Sequence, residues 1–263
     1  NISGNTPFLI PNNILIKYIA IEGALVTEGI GEEWDAEYFY RGQKFPLYLP
    51  ETKKKLRDNF INTKWHGKIW NVLGDSITQP SIAYWAHIFP DKGMILKNYG
   101  IATSTIQVLP QAQQYYPMVE RYLDMDDDAD LITIFGGVND ADFGLGTPSA
   151  LGVETDTINT TFYGALDILY KGLIVKYTTK KIAIFTPIQR EETAENNKLS
   201  EYVDAIKIVA KRYSIPVLDL FSMSGLAPSI AEAKTAYFQD SVHPNEEGHK
   251  VIAEKITAFI ETL

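Results

Sequence analysis

The sequence contains no cysteine. This absence excludes disulfide bonds, thiolate metal sites and a cysteine nucleophile together, and it leaves the redox environment of the protein undetermined. The two common glycine-rich phosphate-binding loops are missing as well. A Gly-x-Ser-x-Gly nucleophile turn is also absent around Ser76, because that residue lies between Asp75 and Ile77.

Long apolar runs and an excess of positive charge are missing too. Residues 14–21 are too short for a membrane span and contain Lys17. Lysine and arginine total 24 against 33 aspartate and glutamate, so the formal net charge is −9. That balance argues against nucleic acid as a partner. With 263 residues, of which 45% are hydrophobic and 22% charged, the composition is typical of a folded globular chain.

An acidic run at residues 124–130 resembles a calcium-binding loop only superficially. Ala129 takes the turn position that needs glycine, and Phe135 stands where the bidentate glutamate of such a loop would be. We interpret the run as a solvated turn before a strand. The sequence therefore indicates no metal ion and no cofactor.

The sequence changes character near residue 66. Short β-rich runs occupy residues 8–10, 14–21, 34–40 and 45–49, and Arg41-Gly42-Gln43 is typical of a hairpin turn. A short helix is predicted over about 50–60. We predict a β-rich N-terminal appendage over residues 1–66 and a second domain over residues 67–263.

Apolar strands alternate with helical patterns after residue 66. Strands are predicted at residues 68–73, 94–98, 131–135, 181–186 and 215–218, and helices at 81–89, 111–123, 160–177, 199–213 and 248–263. Continuous apolar strands that alternate with helices indicate a parallel sheet covered on both faces. The predicted fold is a three-layer α/β/α sandwich with a five-stranded parallel sheet.

Chemically useful residues follow three of the predicted strands and recur near the C-terminus. The segments are Gly-Asp-Ser-Ile at 74–77, Asn-Tyr-Gly at 98–100, Gly-Gly-Val-Asn-Asp at 136–140 and Asp-Ser-Val-His-Pro-Asn at 240–245. Functional residues of such a sheet belong at the carboxyl ends of its strands. We therefore expect these segments to meet at one edge.

Ser76, His243 and Asp240 provide the groups that a serine hydrolase needs. A serine hydroxyl is a weak nucleophile until a neighbouring imidazole takes its proton. The imidazole in turn needs an acceptor on its other nitrogen. Asp240 lies three residues before His243, so the two can face each other around one turn. We predict that these three residues are catalytic.

The oxyanion that develops during acyl transfer needs convergent hydrogen-bond donors. The candidates are the N–H groups of Ser76 and Gly100 and the side-chain amide of Asn139. Glycine at position 100 would let the backbone approach the substrate closely.

In order and spacing, the four segments resemble the four sequence blocks of the SGNH hydrolases, also called the GDSL lipase/esterase family, over roughly residues 68–263. The resemblance implies a flavodoxin-like sheet order. It also implies a catalytic set of Ser76, Gly100, Asn139 and His243, with Asp240 as the third member of the triad. Ile77 replaces the leucine of the first block, and Thr103-Ser104 stands where many members have a further glycine.

Each segment also has a purely structural interpretation. Residues 74–76 could form a strand-to-helix turn with a capping serine, and Asn139-Asp140 could cap a loop. His243-Pro244-Asn245 could start the last helix, with Asn245 as its N-cap. Their joint occurrence in this order favours the catalytic interpretation.

Two loops are expected to shape the substrate site. Residues 141–157 follow the third strand and would line the acyl or alcohol pocket. Residues 186–190 follow the fourth strand, where Arg190 would contact a substrate hydroxyl or carboxylate, or else form a surface salt bridge. Asp75 and Asp140 are weaker candidates for substrate contact. The absence of a long apolar lid favours a short acyl group, such as acetyl, on a sugar or other polar alcohol.

The resemblance extends to short-chain esterases and acetylesterases of bacteria and of phage tail proteins, which often act on surface polysaccharides. It implies an acylated small molecule or polysaccharide as the substrate. It also favours an extracellular or virion-associated location, within a larger surface or tail assembly. The alternative is a non-enzymatic surface or virion module that uses the hydrolase fold as a receptor-binding platform. The sequence leaves the oligomeric state undetermined.

Overall fold

The computed structural model describes residues 63–109, 116–141 and 149–263, together with the backbone of two short strands, β1 (Glu37–Tyr40) and β2 (Gln43–Pro46). The chain divides into two units, residues 1–66 and 67–263. In the first unit β1 and β2 pair antiparallel, with Tyr40 opposite Gln43, as the predicted hairpin requires. The strands predicted before residue 34 and the helix predicted over 50–60 lie outside the described residues.

A five-stranded, all-parallel sheet forms the centre of the second unit. Its strands are β3 (Ile69–Gly74), β4 (Ile95–Gly100), β5 (Leu131–Phe135), β6 (Lys181–Phe185) and β7 (Val217–Leu218). Their spatial order, β4-β3-β5-β6-β7, is the flavodoxin-like order. The register pairs Gly74 with Gly100 on one side and with Phe135 on the other. The loops after these three strands therefore begin side by side.

Alternation along the strands divides the buried side chains between the two faces of the sheet. On one face, Leu73, Ile132 and Ile134 belong to an extended aliphatic core. On the other face an aromatic cluster forms, in which Phe135 contacts both Tyr84 and Phe185. The near-continuous apolar character of the central strands β3 and β5 follows from their burial on both faces.

Helices cover both faces of the sheet and give the second unit three layers. They are α1 (Phe89–Lys92), α2 (Met118–Arg121), α3 (Phe162–Lys176), α4 (Thr193–Arg212), α5 (Leu220–Met223), α6 (Ala231–Tyr237) and α7 (Glu246–Ile260). On the aliphatic face α3 packs against α2 and α4, and on the aromatic face α7 packs against α6 and a 3₁₀ turn at Tyr84–His87. None of the described helices combines the length and the apolar composition that a membrane crossing requires.

Three predicted helices differ from the structure. The helix expected over residues 81–89 is wrong, because the chain instead forms the 3₁₀ turn followed by α1. Pro90 lies in the first turn of α1, where its missing N–H is tolerated, and it therefore marks the start of a new helix and not the continuation of the preceding turn. The helix expected over 111–123 is described only from residue 116, as α2 and a 3₁₀ turn at Tyr122–Asp124. Helix α4 begins at Thr193 rather than at residue 199.

Candidate active site

A hydrogen-bonded chain of three side chains lies at the carboxyl edge of the sheet. The Ser76 Oγ is 2.9 Å from the His243 Nε2, and the His243 Nδ1 is 2.8 Å from the Asp240 Oδ2. Ser76 comes two residues after β3, whereas His243 and Asp240 come from the loop that precedes α7. The fold thus brings together the three residues that the sequence singled out as a nucleophile, a base and its partner.

The loop that carries Asp240 and His243 is held in place by hydrogen bonds between its own residues. The Asp240 Oδ1 accepts the N–H groups of Val242 and His243, each at 2.7 Å, while Oδ2 faces the imidazole. Partial burial pushes the pKa of Asp240 upward, but the hydrogen bonds from these N–H groups and from the imidazole outweigh it and hold the pKa below its usual value. The carboxylate is therefore charged near neutral pH and fixes the orientation of the ring.

The turn after β3 exposes the backbone of Ser76. Asp75 shapes this turn, because its Oδ1 accepts the Ile77 N–H at 2.9 Å and its carbonyl accepts the N–H groups of Thr78 and Gln79. Within the described part of the chain, the Ser76 N–H donates to no partner. It is thus available to a ligand beside the Ser76 hydroxyl.

Gly100 contacts the same turn from the neighbouring strand. A Cβ at this position would lie 2.6 Å from the Gln79 backbone nitrogen, so only glycine fits there. The structure thus gives a reason for this glycine other than the predicted approach to a substrate. In addition, the Gly100 N–H donates to the Asn98 Oδ1 at 2.8 Å. That hydrogen bond occupies the donor that the sequence proposed for the oxyanion.

Thr103, in the loop after β4, offers another backbone donor that the sequence interpretation did not select. Its φ of 62° lies in the left-handed region, which costs a non-glycine residue roughly 1–2 kcal/mol. No acceptor for its N–H is found among the described residues. The available signal was its position, since Thr103-Ser104 stands where the resemblance implies a further glycine.

Asn139 follows β5 at the same edge. One side-chain N–H of Asn139 donates to the Ser104 carbonyl at 2.9 Å, which fixes the orientation of the amide. Because an amide nitrogen carries two protons, the second remains to be donated. Asn139 and the Thr103–Ser104 loop are therefore held together.

Asp140 and Asp75 are closed to a substrate. Asp140 is completely buried, and its carboxylate accepts the N–H groups of Ile106 at 2.9 Å and Gln107 at 3.0 Å. Burial raises the pKa of Asp140 to about 7 and that of Asp75, which is only 1% exposed, to about 6. Both carboxylates bind backbone N–H groups of their own fold. The expectation that they contact a substrate is therefore corrected, since both serve to shape loops.

Arg190 lies beyond β6 as expected, but it is largely buried. Its Nε forms an ion pair with the Glu195 Oε2 at 2.9 Å, and its backbone N–H donates to the Asn196 Oδ1. Arg190 thus forms a salt bridge, but a buried one and not the surface salt bridge of the alternative interpretation. Contact of Arg190 with a substrate stays a prediction. In residues 63–109, 116–141 and 149–263, no three acidic or histidine side chains converge to hold a metal ion. Residues 142–148 of the predicted pocket loop lie outside the described residues.

A second histidine, His249, is buried on α7 and is 1% exposed. Burial, together with the neighbouring His87 and His243, lowers the pKa of His249 to about 4. The unfolded chain binds a proton at this side chain below pH ~6.5. The free energy of unfolding that depends on neutral His249 is therefore fully present above pH ~6.5 and is lost as the pH falls toward 4.

The variant His249→Gln should consequently lose less thermal stability on acidification than the wild type. The measurement is the melting temperature between pH ~7 and ~4.5. Over this range the protonation of His249 lowers the free energy of unfolding of the wild type by up to about 3 kcal/mol. The exposed His66 supplies the matched control, since His66→Gln should leave the slope unchanged. Equal acid slopes for wild type and His249→Gln would contradict the expectation.

Comparison with known proteins places this arrangement in a family. Residues 72–251, more than half of the chain, match the model of the GDSL-like lipase/acylhydrolase family. A solved Lactobacillus plantarum protein is 32% identical, with a TM-score of 0.67 over 75% of this chain and 98% of that one. A comparison with curated protein sequences gave no match.

Two more distant structures share the fold. One is a member of the lipolytic G-D-S-L family from Veillonella parvula, 20% identical, with a TM-score of 0.54 over 75% of this chain and 100% of that one. The other is a lipase/acylhydrolase from Enterococcus faecalis, 18% identical, with a TM-score of 0.52 over 74% of this chain and 96% of that one. The family model spans the strand ends that carry Ser76 and Asn139 as well as the loop with His243. The chain is thus a hydrolase of ester substrates and belongs to the GDSL-like lipase/acylhydrolase family.

Proposed function

We propose that the protein is a serine esterase in which Ser76 is the nucleophile, His243 the general base and Asp240 the residue that orients the imidazole. The observation that carries this proposal is the continuous hydrogen-bonded chain from the Ser76 Oγ through both ring nitrogens of His243 to the Asp240 carboxylate. A hydroxyl in contact with an imidazole, itself held by a carboxylate, is the arrangement that activates serine.

The reaction begins when the Ser76 Oγ attacks the carbonyl carbon of the ester and its proton moves to the His243 Nε2. Asp240 accepts the Nδ1 proton of the ring in a hydrogen bond and stabilises the imidazolium. Collapse of the tetrahedral intermediate breaks the bond to the alcohol, which leaves with the proton from His243. A water molecule, deprotonated by the same imidazole, then attacks the acyl-Ser76 ester. Collapse of the second tetrahedral intermediate releases the acid, and His243 returns the proton to the Ser76 Oγ.

The negative charge of the tetrahedral intermediate needs donors that are in place before it forms. We assign three to this role: the Ser76 N–H, the second side-chain N–H of Asn139 and a backbone N–H of the loop after β4. For the third donor, Thr103 is favoured over Gly100, because the Gly100 N–H already donates to Asn98. The lack of an acceptor for the Thr103 N–H within the described residues supports the same choice.

The preferred substrate, in this proposal, is a short acyl ester, most simply an acetate, of a sugar or other polar alcohol. The openness of the site supports this, since the side chains of His243 and Asp240 are 33% and 50% exposed. A bulky polar alcohol can approach such a site, whereas a long acyl chain requires an apolar channel for its burial. Beside the Asp240 loop lies a cavity of about 370 Å³ whose lining includes Glu191, Lys234 and Gln239. Glu191 and Lys234 form an ion pair with each other. The uncharged Ser229, Thr235 and Gln239 of the same lining are therefore the groups that suit the hydroxyls of an alcohol.

The test is hydrolysis of p-nitrophenyl esters of increasing chain length, followed by acetate release from acetylated oligosaccharides. We expect kcat/KM to be highest for the acetate ester and to fall from butyrate to octanoate. Highest activity on octanoate would overturn the short-chain assignment while leaving the esterase intact. Absence of turnover on every ester would favour the non-enzymatic receptor-binding alternative.

A further inference from the structure

The guanidinium of Arg121 lies buried beneath the candidate active site. Arg121 is at the end of α2 and is 3% exposed. Its Nη2 donates to the Gly74 carbonyl at 2.7 Å, and its Nη1 donates to the Ser104 Oγ and to the Tyr116 carbonyl, each at 2.8 Å. A buried charge is costly unless such partners compensate it, and these three hydrogen bonds supply that compensation.

The partners of Arg121 belong to the segments that carry the proposed oxyanion donors. Gly74 is the last residue of β3, two residues before Ser76. Ser104 follows Thr103, and its carbonyl accepts the Asn139 amide at 2.9 Å. One planar group therefore links the segment of the nucleophile to the loop that holds the other two donors.

Asp140 anchors the same loop from another side. Its carboxylate accepts the N–H groups of Ile106 and Gln107, which follow Ser104 by two and three residues. The loop is thus fixed by the Arg121 guanidinium at Ser104 and by the Asp140 carboxyl group at Ile106 and Gln107. The rigid fork of a guanidinium can donate in several fixed directions at once, whereas a lysine ammonium is a point charge on a flexible stem.

We propose that Arg121 is a positioning residue for the oxyanion hole, which sets the distance between the Ser76 N–H and the donors of Thr103 and Asn139. The inference rests on the proposed function. Oxyanion donors stabilise the transition state only when they converge on one point, and a displacement of about 1 Å can lower the rate roughly 100-fold. Arg121 does not touch the substrate and acts through the backbone and side chains that it holds.

The test compares Arg121→Lys and Ser104→Ala with the wild type in the hydrolysis of p-nitrophenyl acetate. Arg121→Lys keeps the charge but loses the fork, and Ser104→Ala removes one of its acceptors while the Ser104 carbonyl remains. We expect kcat to fall about 10- to 100-fold in Arg121→Lys and less in Ser104→Ala, with KM changed by less than about 3-fold. Binding of methylboronic acid, which forms a tetrahedral adduct with an active-site serine, should weaken in parallel with kcat.

Asn71→Ala provides the matched control for a loss of stability alone. Asn71 is buried on β3 and donates to the Asp126 carbonyl at 3.0 Å, and it lies outside the proposed machinery. This variant should lower the melting temperature and leave kcat and boronate binding unchanged.

The inference is overturned if Arg121→Lys or Ser104→Ala lowers the melting temperature, as Asn71→Ala does, without lowering kcat or boronate affinity. Should Arg121→Lys fail to fold, the kcat and boronate affinity of Ser104→Ala decide the question alone. Failure of the proposed function itself is a separate outcome, visible as wild-type protein that hydrolyses no ester.

Discussion

Ser76→Ala should reduce ester hydrolysis by about 10⁴- to 10⁶-fold, the loss expected when the nucleophile of a catalytic triad is removed. The hydroxyl is hydrogen-bonded to His243, and its deletion removes a single oxygen atom at a partly exposed strand end. The melting temperature should therefore change little. The measurement is kcat/KM for p-nitrophenyl acetate, together with covalent labelling by a serine-directed phosphonate.

Ser81→Ala serves as the control for this prediction. Ser81 is exposed and follows the same turn five residues later, so its loss should leave activity and labelling unchanged. The phosphonate should modify the wild type at Ser76 and should not modify Ser76→Ala. A Ser76→Ala protein within about tenfold of wild-type activity would place the nucleophile elsewhere.

The second large effect is expected from Asn139. Its free amide proton is proposed to face a charge that exists only in the transition state, so Asn139→Ala should lower kcat about 100- to 1,000-fold. KM should change little, because the ground-state carbonyl gains little from this donor. Asn139→Asp should be at least as damaging, since a carboxylate would face the oxyanion.

Asn197→Ala, on the exposed face of α4, is the control for loss of an asparagine side chain and should match the wild type in kcat. A rise in KM with unchanged kcat in Asn139→Ala would instead make this residue a substrate-positioning group. Failure of Asn139→Ala to fold would favour the loop-cap interpretation, because the hydrogen bond to Ser104 would then be mainly structural.

Short-range sequence patterns predicted those features of the second unit that depend on residues close together in the chain. The five strands occur at the predicted places. The apolar runs of β3 and β5 reflect burial on both faces of the sheet. Asn245 caps α7 as expected, with its Oδ1 accepting the Gly248 N–H at 3.0 Å, since capping depends on residues three positions apart. The helix predicted over residues 81–89 is wrong, because a pattern of apolar residues indicates which side chains are buried but does not distinguish a 3₁₀ turn from an α-helix.

The sequence pattern did not predict the hydrogen bonds between residues that are far apart in the chain. Arg121 binds the Gly74 carbonyl across 47 positions of the chain, and Asp140 binds the Ile106 N–H across 34 positions. In the sequence, Arg121 is one charged residue within a predicted helix, and Asp140 is an acidic residue next to Asn139. Neither pattern indicates the hydrogen-bond partners that the structure gives them. Only the packing of α2 and of the loop after β4 against the sheet gives each of them its partners.

The sequence by itself determined the parallel sheet, the family and the residue types at the strand ends, because strand burial and local turns leave short-range patterns. The tertiary structure decided which of those residues face one another. It brought His243 to Ser76, engaged the Gly100 N–H with Asn98, and buried Asp75 and Asp140 beneath the surface. Hydrogen bonds of this kind depend on distances between segments far apart in the chain, and a sequence pattern carries no measure of those distances.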